Sequence, residues 1–201
     1  MAFENFKSLG WTDYFLYTIL DPRELYRRIK QKDPDPFMLS FIIPVAYSIF
    51  AILIMSLAGK ETGFFYQKLS YGWVLIFLYT LFKIIIYSSL VDVTAQFFGY
   101  KGSIKEVITL YNFSLFPELF FLPAFYVFVI IDFAASFFYV LFAIGFFIWQ
   151  VMIFAQGFSE MHSIDFNKSI VILVIPVISI GIMFFLMAIL FFILAFGFIG
   201  V

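Results

Sequence analysis

A chain of 201 residues that is 64% hydrophobic and 12% charged has about half the charge of an average soluble domain, which is roughly 25% charged. A soluble fold of this size has too little interior to hide so much apolar surface, so the composition excludes a soluble module and predicts one membrane domain. A net charge of −1 gives no stripe for nucleic acid, and the absence of cysteine excludes disulfides, thiol catalysis and thiolate metal sites.

Residues 1–36 are too polar for the hydrocarbon and hold charges throughout, without the apolar run of a signal peptide. Ala2 and the lack of cysteine also remove the usual lipidation signals. Phe3, Phe6, Leu9 and Trp11 are candidate anchors. Asp21-Pro22-Arg23-Glu24 opens a helix, with Asp21 as cap, Pro22 at the first position and Glu24 completing a capping-box-like pattern. Leu25 and Ile29 share one face, ringed by Arg23, Arg27, Arg28 and Lys30. A basic amphipathic helix of this kind suits a headgroup surface, and the four cations are candidate contacts for lipid or a partner. A solvated tail is the alternative.

The first span is expected at 37–58, apolar, uncharged and of bilayer length, with Pro44 as a place to kink. A loop with Lys60, Glu61, Lys68 and interfacial aromatic residues follows. The second span, about 72–98, holds Lys83 at its middle and Asp92 near its end. A polar connection leads to a third span, about 113–131, interrupted by Pro117 and Pro123 and holding Glu118. Asp132 marks a reversal into the fourth, about 134–158, with Gln150 and Gln156 towards its end. The fifth, about 169–195, is longer than one crossing needs, so a tilt or a break near Pro176 or Gly197 is expected. The chain thus predicts an all-α polytopic membrane protein. A cytoplasmic or interfacial N-terminal segment (1–36), holding the interfacial helix, precedes a five-helix transmembrane bundle (37–201). Lysines and arginines outside the hydrocarbon divide nine against two, which places the N-terminus in the cytoplasm and the C-terminus outside.

Lys83, Asp92, Glu118 and Asp132 are ionisable at or near membrane depth, where each needs protein, water or headgroups around it. Lys83 and Asp92 fall on opposite faces of one helix, at about 100° per residue. Thr80 and Tyr87 share the face of Lys83, while Ser88, Ser89 and Gln96 share that of Asp92, so this span belongs inside the bundle. Two readings follow: a polar pathway or headgroup site with Lys83 paired to Glu118, or a structural ion pair that fixes packing. Lys83 could also snorkel to an interface. Glu118, directly after Pro117, is favoured by the helix dipole alone as well as by a proton-relay role.

Glu160, His162 and Asp165 match no helical metal motif, so neither a metal nor a cofactor is expected. One histidine and no cysteine make an enzyme the least favoured class. Gly181, Ala188 and Ala195 recur every seven residues, as do Ser136 and Ala143, which allows close helix approach within the chain or between copies.

The stretch Gly99-Tyr100-Lys101-Gly102-Ser103-Ile104-Lys105-Glu106, followed by Tyr111-Asn112-Phe113-Ser114-Leu115-Phe116-Pro117, resembles the Yip domain family. These are the Ypt/Rab-interacting membrane proteins and their prokaryotic relatives. Tyr111, Phe113, Ser114 and Pro117 occupy the family's tyrosine-x-aromatic-serine-x-x-proline pattern. Asp21-Pro22 resembles the Asp-Pro of its pre-membrane helix, and Trp149 through Gly157 to His162-Ser163 resembles the fourth span and following loop of prokaryotic members. The resemblance implies a five-span bundle with a cytoplasmic N-terminus. In eukaryotes it implies Golgi and endoplasmic reticulum trafficking, with another membrane protein or a small GTPase as partner. Eukaryotic members carry aspartate-leucine-tyrosine-glycine-proline before the first span, where this chain reads Asp33-Pro34-Asp35-Pro36-Phe37. The short cytoplasmic segment resembles the prokaryotic branch, which implies the cell membrane. The expected function is a non-enzymatic scaffold or adaptor in membrane organisation or trafficking, binding membrane lipids or partner proteins. The alternative is a small transporter, channel or lipid-translocating protein working through Lys83 and Glu118.

Overall fold

The computed structural model describes residues 10–31, 35–58, 69–131 and 134–197, and the elements among them are all helical. In chain order they are α1 (Thr12–Leu20), α2 (Pro22–Gln31), α3 (Pro36–Ser40), α4 (Ile42–Ala58), α5 (Leu69–Phe97), α6 (Ile104–Ser114), a 3-10 turn (Phe116–Phe120), α7 (Phe121–Ile131), α8 (Ala135–His162) and α9 (Phe166–Gly197). Five stretches are long and apolar enough to cross a bilayer: Pro36–Leu57, Tyr71–Phe97, Ile104–Ile131, Ser136–His162 and Phe166–Leu194. The protein is an integral membrane protein. Asp132, the loop 59–68, Asp33-Pro34 and the anchors Phe3, Phe6 and Leu9 lie outside the described residues.

The two largest departures from the expected boundaries are in the third and fourth spans. The third span begins at Ile104, not at 113. Lys105 and Glu106 in the first turn of α6 disguise it, while Val107 and Leu110 behind them are fully buried. The fourth runs on to His162 and stops where Ser163 takes a left-handed backbone, φ 52°. Pro117 ends α6 and throws the chain into the 3-10 turn, because proline lacks an N–H and collides with the preceding turn. Pro123 falls in the first turn of α7, where proline is tolerated, and does not interrupt it. α9 is continuous through Pro176 to Gly197, so it is not broken at either place.

The spans pack around a ring in the order first, second, fifth, fourth, third and back to the first, and α6 at the start of the third also packs across it on the second. One end of the ring carries α1, α2 and the 98–103 and 163–165 connections; we call it the basic end. The larger buried cluster lies there, built from Tyr14, Leu25, Ile29, Val91, Val107, Leu110, Phe113 and Phe158 among others. Its helices approach closely: a Cβ on Gly157 of α8 would collide with Leu110 of α6. Ser169 Oγ donates to the Ala155 carbonyl at 2.8 Å, fixing the start of α9 to α8.

α2 is docked on this end. Leu25 and Ile29 are fully buried, and α2 packs chiefly against α8. The expectation that this apolar face meets headgroups is corrected: protein covers it. Asp21 accepts from the Arg23 and Glu24 backbone N–H groups at 3.2 Å and caps α2 as its sequence predicted. α1 lies over α6, with Tyr14 stacked on Phe113 at 5.6 Å between ring centroids.

The far half is packed differently. A small cluster of Ile54, Phe121 and Phe125 ties α4 to α7, with Tyr139, Phe142 and Phe146 of α8 against it. α9 takes no part. From Val177 to Leu194 none of its residues is buried, whereas Ile172, Leu173 and Pro176 are. Pro176 is therefore the last buried residue of α9 among the described side chains.

Candidate functional site

All five spans line a cavity of about 820 Å³. Its polar groups are Lys83 of α5, Glu118 of the 3-10 turn, the hydroxyls of Tyr47, Tyr79, Tyr87, Tyr111 and Tyr139, and the amide of Gln150. Lys83 and Glu118 stand near the middle of their spans. Towards the basic end the cavity is floored by three rings. Tyr87 and Tyr111 are 5.4 Å apart between centroids, and Phe154 lies 5.3 Å from Tyr111. Tyr87 also donates to the Leu173 carbonyl at 2.9 Å, closing α5 against α9. Towards the far end the lining reaches Met55 and Tyr139, within a turn of the ends of their spans.

The cavity has an open flank. Tyr79 and Phe82 on α5 and Phe147 on α8 line it and yet are exposed, at 67%, 64% and 59%. α9 packs on both of these helices, and beyond Pro176 its Val177 and Ile180 still line the cavity without being buried. This flank of the cavity is therefore open to the outside of the bundle.

The two charges do not form an ion pair. Among the described residues, ion pairs within 4.0 Å involve only Arg27 and Arg28. Lys83 Nζ instead stands 5.9 Å from the centroid of the Tyr47 ring, at cation–π range. The expected Lys83–Glu118 ion pair is thus not formed, although the fold brings both residues to one cavity. Pro117 explains the placement of Glu118. The 3-10 turn that it forces interrupts the third span beside the cavity, and irregular backbone at membrane depth is tolerated only where protein buries it or it lines such a space.

The other candidates separate. Tyr87 lines the cavity, but Thr80 is buried outside it. Asp92 lies apart, buried, with Oδ2 accepting from Gln96 at 2.8 Å and Oδ1 without a partner. In the motif, Tyr111 faces the cavity while Phe113 faces α1, Ser114 bonds back to the Tyr111 carbonyl at 2.7 Å, and Pro117 opens the turn. The motif therefore shapes the break in the third span. Tyr47, Tyr79 and Tyr139 were missed from the sequence. Their signal was available: tyrosine is enriched at membrane interfaces, so Tyr47 and Tyr79 deep within a span ask for a reason.

On α2, Arg27 Nε donates to Glu160 Oε1 at 3.0 Å, and Arg28 pairs with Asp13 at 3.3 Å. Two of the four expected lipid-facing cations thus hold α2 to the protein, while Arg23 and Lys30 remain exposed. Among the described residues no group of three His, Asp or Glu side chains is placed to hold a metal ion.

Comparison with known families gives a match to the Yip1 domain over residues 16–189. No curated protein and no solved structure matches the chain.

Proposed function

The chain belongs to the Yip1 domain family, and from that premise we propose that it is a non-enzymatic membrane scaffold whose bundle holds a membrane lipid in the cavity beside α9. The observation that carries this reading is the open flank between α5 and α8: a site that opens sideways is supplied from the bilayer. Its lining of aromatic and aliphatic side chains with a few polar groups is that of a ligand site. The cavity presents an amine, a carboxyl, phenols and an amide, groups that bind and orient. The lipid-loaded bundle then offers α1, α2 and the connections at the basic end to a partner, either another membrane protein or a small GTPase. The excess of basic residues at this end supports a cytoplasmic orientation for it, and the cell membrane is the location that this reading carries over from the resemblance to prokaryotic members.

Translocation is the second reading, favoured by the depth of Lys83 and Glu118. It needs a route to both surfaces, and the rings of Tyr87, Tyr111 and Phe154 stand across the way to the basic end. Binding is the better fit. The test is reconstitution in vesicles, with lipid retained on re-extraction measured by native mass spectrometry and transbilayer lipid exchange measured in parallel. Retained lipid that is lost in Ala143→Phe, a change that fills the cavity, supports the scaffold. Rapid lipid exchange abolished by Lys83→Leu would replace it with translocation. A wild-type protein that keeps no lipid and moves none would leave neither reading standing.

A further inference from the structure

The two unpaired charges specify the headgroup. Lys83 and Glu118 line one cavity at mid-membrane depth, further apart than an ion pair, and Glu118 makes no side-chain hydrogen bond among the described residues. A charge at that depth calls for a counter-charge. With Lys83 as ammonium and Glu118 as carboxylate, the cavity is neutral overall, so an anionic or a cationic ligand would leave one charge uncompensated. A ligand bearing both signs compensates both. The Tyr47 ring is already beside Lys83, and the rings of Tyr79 and Tyr139 add faces that attract an ammonium group. The hydroxyls of the same three residues can donate to phosphate oxygens.

We infer that the cavity takes a zwitterionic phospholipid headgroup, its phosphate against Lys83 and its ammonium against Glu118 and the rings of Tyr79 and Tyr139. This deepens the proposed lipid-holding function and rests on it. The acyl chains would leave through the flank between α5 and α8, over Phe82 and Phe147, both exposed there. The same headgroup chemistry exists free in solution as glycerophosphoethanolamine, but the open flank assigns the source to the bilayer.

The full chain is reconstituted into vesicles of equal parts phosphatidylethanolamine and phosphatidylglycerol, re-extracted, and its retained lipid identified by native mass spectrometry. The expected result is about tenfold enrichment of phosphatidylethanolamine, equivalent to about 1.4 kcal/mol. Glu118→Gln should bring the ratio to one or below, because the cavity left cationic favours the anionic lipid. Lys83→Met should lower the total lipid retained while what remains is still phosphatidylethanolamine. Asn167→Ala, exposed and away from the cavity, should leave both unchanged. Equal retention of both lipids by the wild-type protein, or enrichment of the anionic one, overturns the zwitterion assignment and leaves lipid holding intact. No retained lipid overturns both. If the cavity variants fail to fold, the wild-type ratio decides alone. Binding of glycerophosphoethanolamine by protein that retains no phosphatidylethanolamine would overturn the bilayer source.

Discussion

The Tyr26 hydroxyl donates a 2.9 Å hydrogen bond to Glu106 Oε2, joining α2 to the first turn of α6 across 80 residues of sequence. With the Arg27–Glu160 contact at 3.0 Å it pins α2 to the third and fourth spans at once. The segment that reads as a peripheral helix is part of the bundle's wall.

Tyr26→Phe should therefore destabilise the protein by about 1 kcal/mol, the usual net value of one such hydrogen bond, and loosen α2 first. Burial, and then the Glu106 carboxylate, raise the Tyr26 phenol above its ordinary 10.0. A group raised on folding contributes fully below its unfolded pKa and loses that contribution as the pH climbs past it. Wild-type stability should thus fall above about pH 10, and thermal unfolding of Tyr26→Phe in detergent should show a weaker alkaline decline.

Gly157 is a position where size decides the packing. Leu110, which a Cβ would strike, is fully buried and has no free space to swing into. Gly157→Val should cost about 1–3 kcal/mol, as overpacking does. In a Leu110→Ala background, Gly157→Ala should cost nothing further and gain up to about 1 kcal/mol from helix propensity. A double-mutant cycle measures the coupling; additive costs would show that the two residues do not compete for the same space.

Pro117→Ala should let α6 run straight into α7. The 3-10 turn would be lost, Glu118 would rotate out of the cavity, and retained lipid should fall while far-UV circular dichroism shows equal or greater helix content. Unchanged retention would mean that something other than this turn sets Glu118.

The five spans were legible because hydropathy over bilayer length is a strong signal, and Lys83 with Glu118 stood out because charge at that depth is costly. The start of the third span was hidden by Lys105 and Glu106, whose polarity belongs to a helix end near the surface. The docking of α2 was hidden for another reason. Leu25 and Ile29 announce that something apolar must cover them, but a stripe of that kind fits lipid and protein equally. The cavity itself could not be read at all, since it depends on where the burial of α9 ends, and the sequence marks that level with Pro176 alone.

From Val177 to Leu194 the side chains of α9 are not buried by protein, so in a bilayer hydrocarbon would surround most of them. A stretch held mainly by lipid takes its tilt from bilayer thickness, leaning further when the hydrophobic layer thins. The lower part of α9 is fixed by Ser169 and Leu173, so the helix can swing like a lever about the proline, and the doorway between α5 and α8 changes width with it. The protein would then meter lipid entry by membrane thickness. Because the chain has no cysteine, spin labels at Leu75→Cys and Met183→Cys can report this alone: their separation should change steadily with acyl length, and a constant distance would refute the lever.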